Sequence, residues 1–166
     1  EVDRLLAKGT VDHNQHQYDA VISFTFNLGG QWMKPANRIY QYVLFGYPSE
    51  QEFLDAMGAW ASAGGSVVKG LMQRRIDEAD MYLNGNYKRF SKTYFGAHLE
   101  LTKKDTGATM EGTGKSYGLF YCKAGEPVGT MPSAVREGYY LVGWIDSATN
   151  HVYTPETIAP GKIMTL

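Results

Sequence analysis

The hydrophobic rhythm of the chain changes after Asn84, and no other feature constrains the fold as much. Up to that point apolar residues recur at intervals of three and four, the period of helices that bury one face. Beyond the polar, aromatic stretch NGNYKRFSKTYFG, short apolar runs alternate with Gly, Pro, Thr and Asn, as in short strands joined by turns. The chain therefore reads as α+β, with a boundary at about residues 86–97. A helical unit occupies residues 1–87, a connector and first β segment residues 88–107, and a mainly β module residues 108–166.

The helical half carries its own punctuation. EVDRLLAKG places Val2, Leu5 and Leu6 on one face and stops at Gly9, read as a C-terminal helix glycine. Asp12 or Asn14 caps the next helix, whose stripe is Tyr18, Val21, Ile22 and Phe26. Pro35 opens a third helix at its first turn, with Ile39, Tyr42 and Val43 inward. In SEQEF, Ser49 caps while Glu52 reaches back, and the helix that follows carries Phe53, Met57 and Trp60. A last helix from about Gly70 to Asn84 turns Leu71, Ile76, Ala79 and Leu83 inward and ends at Gly85. In the β half, Tyr139 and Leu141 fall on one strand face, and Tyr140, Val142 and Trp144 on the other, with Trp144 as a core anchor.

Composition excludes several classes of function. The 16 basic and 17 acidic residues nearly balance, and each half is also close to neutral, so there is no footprint for a nucleic-acid partner. No run approaches the roughly 18 apolar residues of a membrane span. The single Cys122 lies in a strand-like run without a base and reads as a buried thiol. GTGKS at 112–116 lacks the leading glycine of a phosphate loop, since Thr109 stands there, and no apolar helix follows. His13 and His16 lack a third ligand, so neither a metal site nor any cofactor is expected.

Three motifs in order carry a resemblance: QYDAVISFTFNLG, then AWASAGG, then GLMQRRIDEADMYLNG. They resemble the phage-type lysozymes (glycoside hydrolase family 24) through Gln17, Asp19, Ala20, Ser23, Phe24, Phe26, Asn27 and Gly29, then Trp60, then Gly70, Leu71, Arg74, Arg75 and Glu78. The likeness implies that residues 1–87 form the helical lobe of a muramidase. That enzyme hydrolyses the bond between N-acetylmuramic acid and N-acetylglucosamine in peptidoglycan. It also implies that the QYDAVISF helix ends at the sugar cleft. There Asn27 meets an N-acetyl group or hydroxyl, and Gly29 and Gly30 let the backbone approach a sugar ring. Trp60 either stacks on a sugar or packs in the core. Of the adjacent Arg74 and Arg75, one meets an acidic partner across the lobes while the other faces solvent.

The family's opening Glu-Gly segment and its Thr-Ile-Gly-x-Gly hairpin have no counterpart before Gln17. A glycosidase needs two carboxyl groups about 5–9 Å apart across the scissile bond. Glu78 reads instead as a helix-surface salt link to Arg74 and Arg75, Asp19 as structural or solvated, and Glu50, Glu52 and Asp55 as capping residues. The expectation is a truncated cell-wall lysozyme with no catalytic residue in this chain, inactive alone and able to hold peptidoglycan or chitooligosaccharide weakly. The competing expectation is a non-catalytic glycan-binding or structural surface module.

GEPVGTMPSAVREGYYLVGWIDSATNHVYTP resembles the internalin-type B-repeats (Listeria-Bacteroides repeats) through Gly125, Met131, Pro132, Arg136, Gly138, Tyr139, Gly143 and Trp144. The fold implied for residues 108–166 is a small β-grasp-like domain, a spacer or adhesive module of surface and secreted bacterial proteins. Together the two resemblances imply a lysozyme-like all-α lobe followed by a β domain. The setting they imply is secreted or cell-surface in a bacterium, or phage-encoded (an endolysin or prophage product).

Overall fold

A computed structural model describes residues 1–101 and 107–166. The chain forms two compact units, Glu1–Ser91 and Lys92–Leu166. It is mixed α+β, with the helices in the first unit and most of the strands in the second. Among the described residues no helix is long and apolar enough to cross a membrane.

The first unit runs α1 (Val2–Leu6), α2 (Gln15–Leu28), a 3-10 turn (Gly29–Trp32), α3 (Arg38–Phe45), α4 (Glu50–Gly58), a short hairpin of β1 (Ser62–Ala63) and β2 (Ser66–Val67), and α5 (Lys69–Asn84). Helix α5 packs against α2 and α4. Its buried Met72, Ile76, Ala79 and Tyr82 meet a core of Val21, Phe24, Val43, Leu44, Phe53 and Met57. Tyr82 stacks on Phe53 at 4.3 Å between ring centroids. Asn14 caps α2 in a reciprocal box: its side chain accepts from the Gln17 amide, and the Gln17 side chain accepts from the Asn14 amide, each at 3.1 Å.

Several expectations are corrected here. The buried face of α2 is Ala20, Val21 and Phe24, whereas Ile22 is 40% and Phe26 87% exposed. Both stripes satisfy helical spacing, and the aromatic partners of Phe24 select between them. Pro35 lies in a turn and α3 starts at Arg38. The delay follows from Asn37, whose Nδ2 donates to the carbonyls of Gln31 and Trp32 and ties the entry to the preceding turn. Gly9 does not end α1 in a left-handed conformation; a Cβ there would lie 2.4 Å from the Leu44 carbonyl oxygen, so contact with α3 demands the glycine. Ser49 does cap α4, accepting from the Glu52 amide at 3.2 Å. The Glu52 carboxylate accepts instead from the Tyr42 hydroxyl at 3.0 Å and lies 3.6 Å from Arg38. Leu71 and Leu83 are only half-buried, and Met72 and Tyr82 take the core positions expected of them. Gly85 does end α5 with φ +67°.

The segment after α5 is held to that helix by two aspartates. Asp77 accepts from the amides of Phe90 and Ser91 at 2.9 and 2.8 Å. The buried Asp80 accepts from Asn84 at 2.7 Å and Asn86 at 2.6 Å, and from the Ser91 hydroxyl. These bonds carry the first unit on to Ser91.

In the second unit β3 (Tyr94–Glu100) is the central strand. It pairs antiparallel with β5 (Tyr117–Lys123) from Tyr94↔Lys123 to Glu100↔Tyr117, and parallel with β9 (Ile163–Thr165) from Gly96↔Ile163. Two smaller antiparallel ladders join β4 (Thr109–Met110) to β6 (Ala134–Val135) and β7 (Trp144–Asp146) to β8 (His151–Tyr153). Phe95, Leu99, Met110, Trp144, Tyr153 and Met164 are buried in one cluster, with Phe95 and Tyr153 stacked at 5.7 Å. Trp144 is the expected core anchor, and its indole N–H donates to the Pro132 carbonyl at 2.9 Å. Cys122 is buried as expected.

The strand expected over YYLVGW begins only at Trp144. Tyr139, Tyr140 and Val142 are 66%, 87% and 81% exposed, and no described strand pairs with them. Alternation alone does not make a strand where no neighbour takes up its hydrogen bonds.

Candidate functional site

The C-terminal end of α2 is where the motif residues converge. Helix α2 stops because Gly29 takes φ +62° with its amide bonded to the Thr25 carbonyl, and the chain tightens into the 3-10 turn. A Cβ on Gly29 would meet nothing within 4 Å, so this surface is open. Gly30 is exposed as well, and a Cβ there would come 3.3 Å from a carboxylate oxygen of Glu1. Beside it lies a groove of ≈ 680 Å³ lined by Glu1, Arg4, Leu5, Lys8 and Met33.

The turn is anchored by Trp32, which is fully buried and donates its indole N–H to Thr25 Oγ1 at 3.1 Å. Helical periodicity does not mark Trp32; its signal in the sequence is an aromatic residue eight positions after Phe24 and two after Gly30. Phe24 is the hub of the arrangement: Trp32 and Trp60 meet its ring edge-on at 5.7 and 6.3 Å between centroids, and the Arg75 guanidinium lies 4.8 Å from its centre. Trp60 is half-buried beyond the end of α4.

Behind Phe24 sits a buried charge network. Arg75 is fully buried, its Nε 2.9 Å from Glu78 Oε2, and its Nη2 donates to Asn27 Oδ1 at 2.8 Å. Glu78 is 2% exposed and also accepts from Arg74 Nε at 3.1 Å and Ser23 Oγ at 2.8 Å. This corrects the expectation of a helix-surface salt link: the carboxylate lies inside, between α5 and α2. Burial pushes the Glu78 carboxyl up from its ordinary value, while Arg75, Ser23 and Arg74 pull against that.

The network fixes one orientation at the surface. A guanidinium can only donate, so the atom of Asn27 facing Arg75 is its carbonyl oxygen. Nδ2 is then the end of the exposed Asn27 amide that the Arg75 bond does not use, next in the chain to the glycine turn. Arg74 keeps 40% of its side chain exposed. The structure thus ties Arg75 to Asn27 at the end of α2, with Gly29 and Gly30 following in the chain, while Trp60 meets Phe24 and Arg74 meets Glu78.

Several other carboxylates of the helical unit are engaged locally. Asp19 accepts from Gln15 and Tyr87 at 2.8 and 2.7 Å, and Asp55 from Gln51 at 3.0 Å. Among the described residues no group of three or more His, Cys, Asp or Glu side chains is placed to hold a metal ion. The GTGKS segment forms the turn between β4 and β5, with Gly112 and Gly114 at φ +77° and +66°.

Residues 1–78 match the phage lysozyme family. Asn27, Gly29, Gly30, Trp60, Arg74 and Arg75 all fall inside that phage-lysozyme-like stretch. An endolysin of Bacillus phage B103 is 37% identical over 93 residues, which is 55% of this chain and 32% of that protein. The chain thus spans about a third of the length of this curated relative. An endolysin from Escherichia coli O157:H7 phage FAHEc1 shares 26% identity over 53% of this chain and 59% of its own, with a TM-score of 0.42.

Proposed function

We propose that the helical unit is the sugar-binding helical lobe of a cell-wall lysozyme. The reaction would be hydrolysis of the bond between N-acetylmuramic acid and N-acetylglucosamine in peptidoglycan. One observation carries the reading: a buried Arg75–Glu78 pair holds the exposed Asn27 amide by its oxygen, next to a bare glycine turn, within the stretch that matches phage lysozyme. In that pose Asn27 donates to the carbonyl oxygen of an N-acetyl group, Gly29 and Gly30 admit the ring, and Trp60 flanks it. Arg74 is the member of the arginine pair with surface free to meet an acidic group outside the helical unit. The setting is a phage-encoded or secreted product.

The 166 residues by themselves do not cleave the linkage. The groove beside Gly30 has one carboxylate among its described lining residues, Glu1, whereas a glycosidase needs two about 5–9 Å apart. Asp19, Glu52, Asp55, Asp77, Glu78 and Asp80 each accept a hydrogen bond from their own unit. The same commitment of carboxylates favours the second reading, a non-catalytic glycan-binding platform.

Titrating the ¹⁵N-labelled chain with N,N′,N″-triacetylchitotriose tests the site. Shifts should centre on the Asn27 side-chain amide and the Gly29 and Gly30 amides, and Asn27→Asp should remove them while keeping the acceptor for Arg75. Shifts that spare this turn would refute the site. Turbidity clearing of cell walls by the 166-residue chain would refute the claim of inactivity. Clearing by the full gene product, absent from the 166 residues, would separate the lysozyme from the platform.

A further inference from the structure

The β unit exposes two adjacent tyrosines that its core does not use. Tyr139 and Tyr140 are 66% and 87% exposed, at the edge of a groove of ≈ 710 Å³ between the β4–β6 ladder and the segment that follows β6. Their placement is built in. The Tyr139 amide bonds back to the Arg136 carbonyl at 3.1 Å, and Gly138 takes φ +79° at the third position of that turn, where glycine is favoured. The same turn brings the Arg136 guanidinium to 4.1 Å from the centre of the Tyr139 ring.

We propose that this groove is a second glycan site, taking a neutral sugar chain of the cell wall whose ring faces stack on Tyr140 and Tyr139. The polar lining suits hydroxyls: Glu111 and Glu137 accept, and Thr109 and Ser133 both donate and accept. Among the described residues of the lining two carboxylates stand against one guanidinium, which suits a neutral chain better than a polyanion such as a phosphate-bearing polymer. Rigid aromatic rings beside hydrogen-bonding groups bind with little loss of conformational freedom. The inference goes beyond the proposed function and does not depend on Asn27, which lies in the helical unit.

The test is an NMR titration of the whole chain with a β-1,4-linked N-acetylglucosamine hexamer, alongside co-sedimentation with peptidoglycan stripped of phosphate polymers. Amide shifts are expected at Val135, Tyr139 and Tyr140, with Tyr140→Ala weakening binding at this site at least tenfold. Because Tyr140 is almost wholly exposed, the rest of the Tyr140→Ala spectrum should match the parent. Val142→Ala, equally exposed but outside the groove lining, should bind as the parent does. Asn27→Ala should abolish the shifts at the α2 turn and leave those at Tyr140. If Asn27→Ala removes every shift, the groove is not a glycan site and the proposal falls while the helical site stands. It falls too if Val142→Ala weakens binding as much as Tyr140→Ala, or if only unstripped walls are retained. A concentration-dependent dimer abolished by Tyr140→Ala, with no response to the hexamer, would make a second copy the occupant and overturn it.

Discussion

Arg75 and Glu78 are both buried, and removing one member of such a pair strands the other's charge at low dielectric. Arg75→Ala or Glu78→Gln should therefore destabilise the helical unit by about 3–5 kcal/mol, read from urea unfolding. Arg74→Ala should cost under about 1 kcal/mol, since its guanidinium is substantially hydrated. Tyr82 offers the opposite sign. Its hydroxyl is buried without a hydrogen-bond partner among the described residues, and burial raises its pKa. Tyr82→Phe should keep the stack on Phe53 and raise stability by about 1 kcal/mol, since a buried unpaired hydroxyl is unfavourable. Asp19 titrates below the ordinary aspartate value of 3.8, first because of the Tyr87 hydroxyl and then because of Gln15. A lowered folded-state pKa means the contribution is present above that ordinary value and is lost as pH falls through the lower one. Following the Asp19 carboxyl by NMR should show a midpoint below 3.8 that moves up in Tyr87→Phe; an unmoved midpoint would contradict the bond.

At the scale of elements, glycine positions separate close approach from conformational freedom. Gly9→Ala drives a methyl into the Leu44 carbonyl and should destabilise by about 1–3 kcal/mol. Gly70, inside α5, has nothing within 4 Å of a Cβ and no positive φ, so Gly70→Ala should stabilise by about 0.5–1 kcal/mol. Thermal melts of the two variants should move in opposite directions. The helices themselves were legible in the sequence: Ser49 at α4 and Gly85 behind α5 are local signals with local causes, while Asp12 and Asn14 stood as equal candidates for the α2 cap that Asn14 forms with Gln17. Which face of α2 turns inward was not, because the residues at 18, 22 and 26 satisfy the same period as 20 and 24. The partners of Phe24 come from Trp32, Trp60 and Arg75, the last two distant in the chain. Asn27, Gly29 and Gly30, the residues of the proposed site, stand out in the sequence through the motif around them. The buried network behind them was not, because two adjacent arginines and a glutamate on one helix look the same on its surface as in its core.

At the scale of the molecule, each unit closes its own core. The second draws its central sheet and its buried cluster wholly from residues after Ser91. A fragment of residues 92–166 should therefore give a dispersed amide spectrum that overlays the corresponding signals of the full chain. A collapsed spectrum would show that its core needs the helical unit.

The sequence by itself determined the division into a helical and a β half, the cap that starts α4, and the match of the helical stretch to phage lysozyme. All of these rest on local periodicity or on short motifs. Tertiary structure alone decided that Arg75 and Glu78 lie inside, that Arg75 sets the Asn27 amide, and that Gly9 is there for Leu44. It also left Tyr139 and Tyr140 outside the sheet their alternation suggested. Each of those outcomes depends on which distant residue arrives as a neighbour, and no local pattern encodes that arrival.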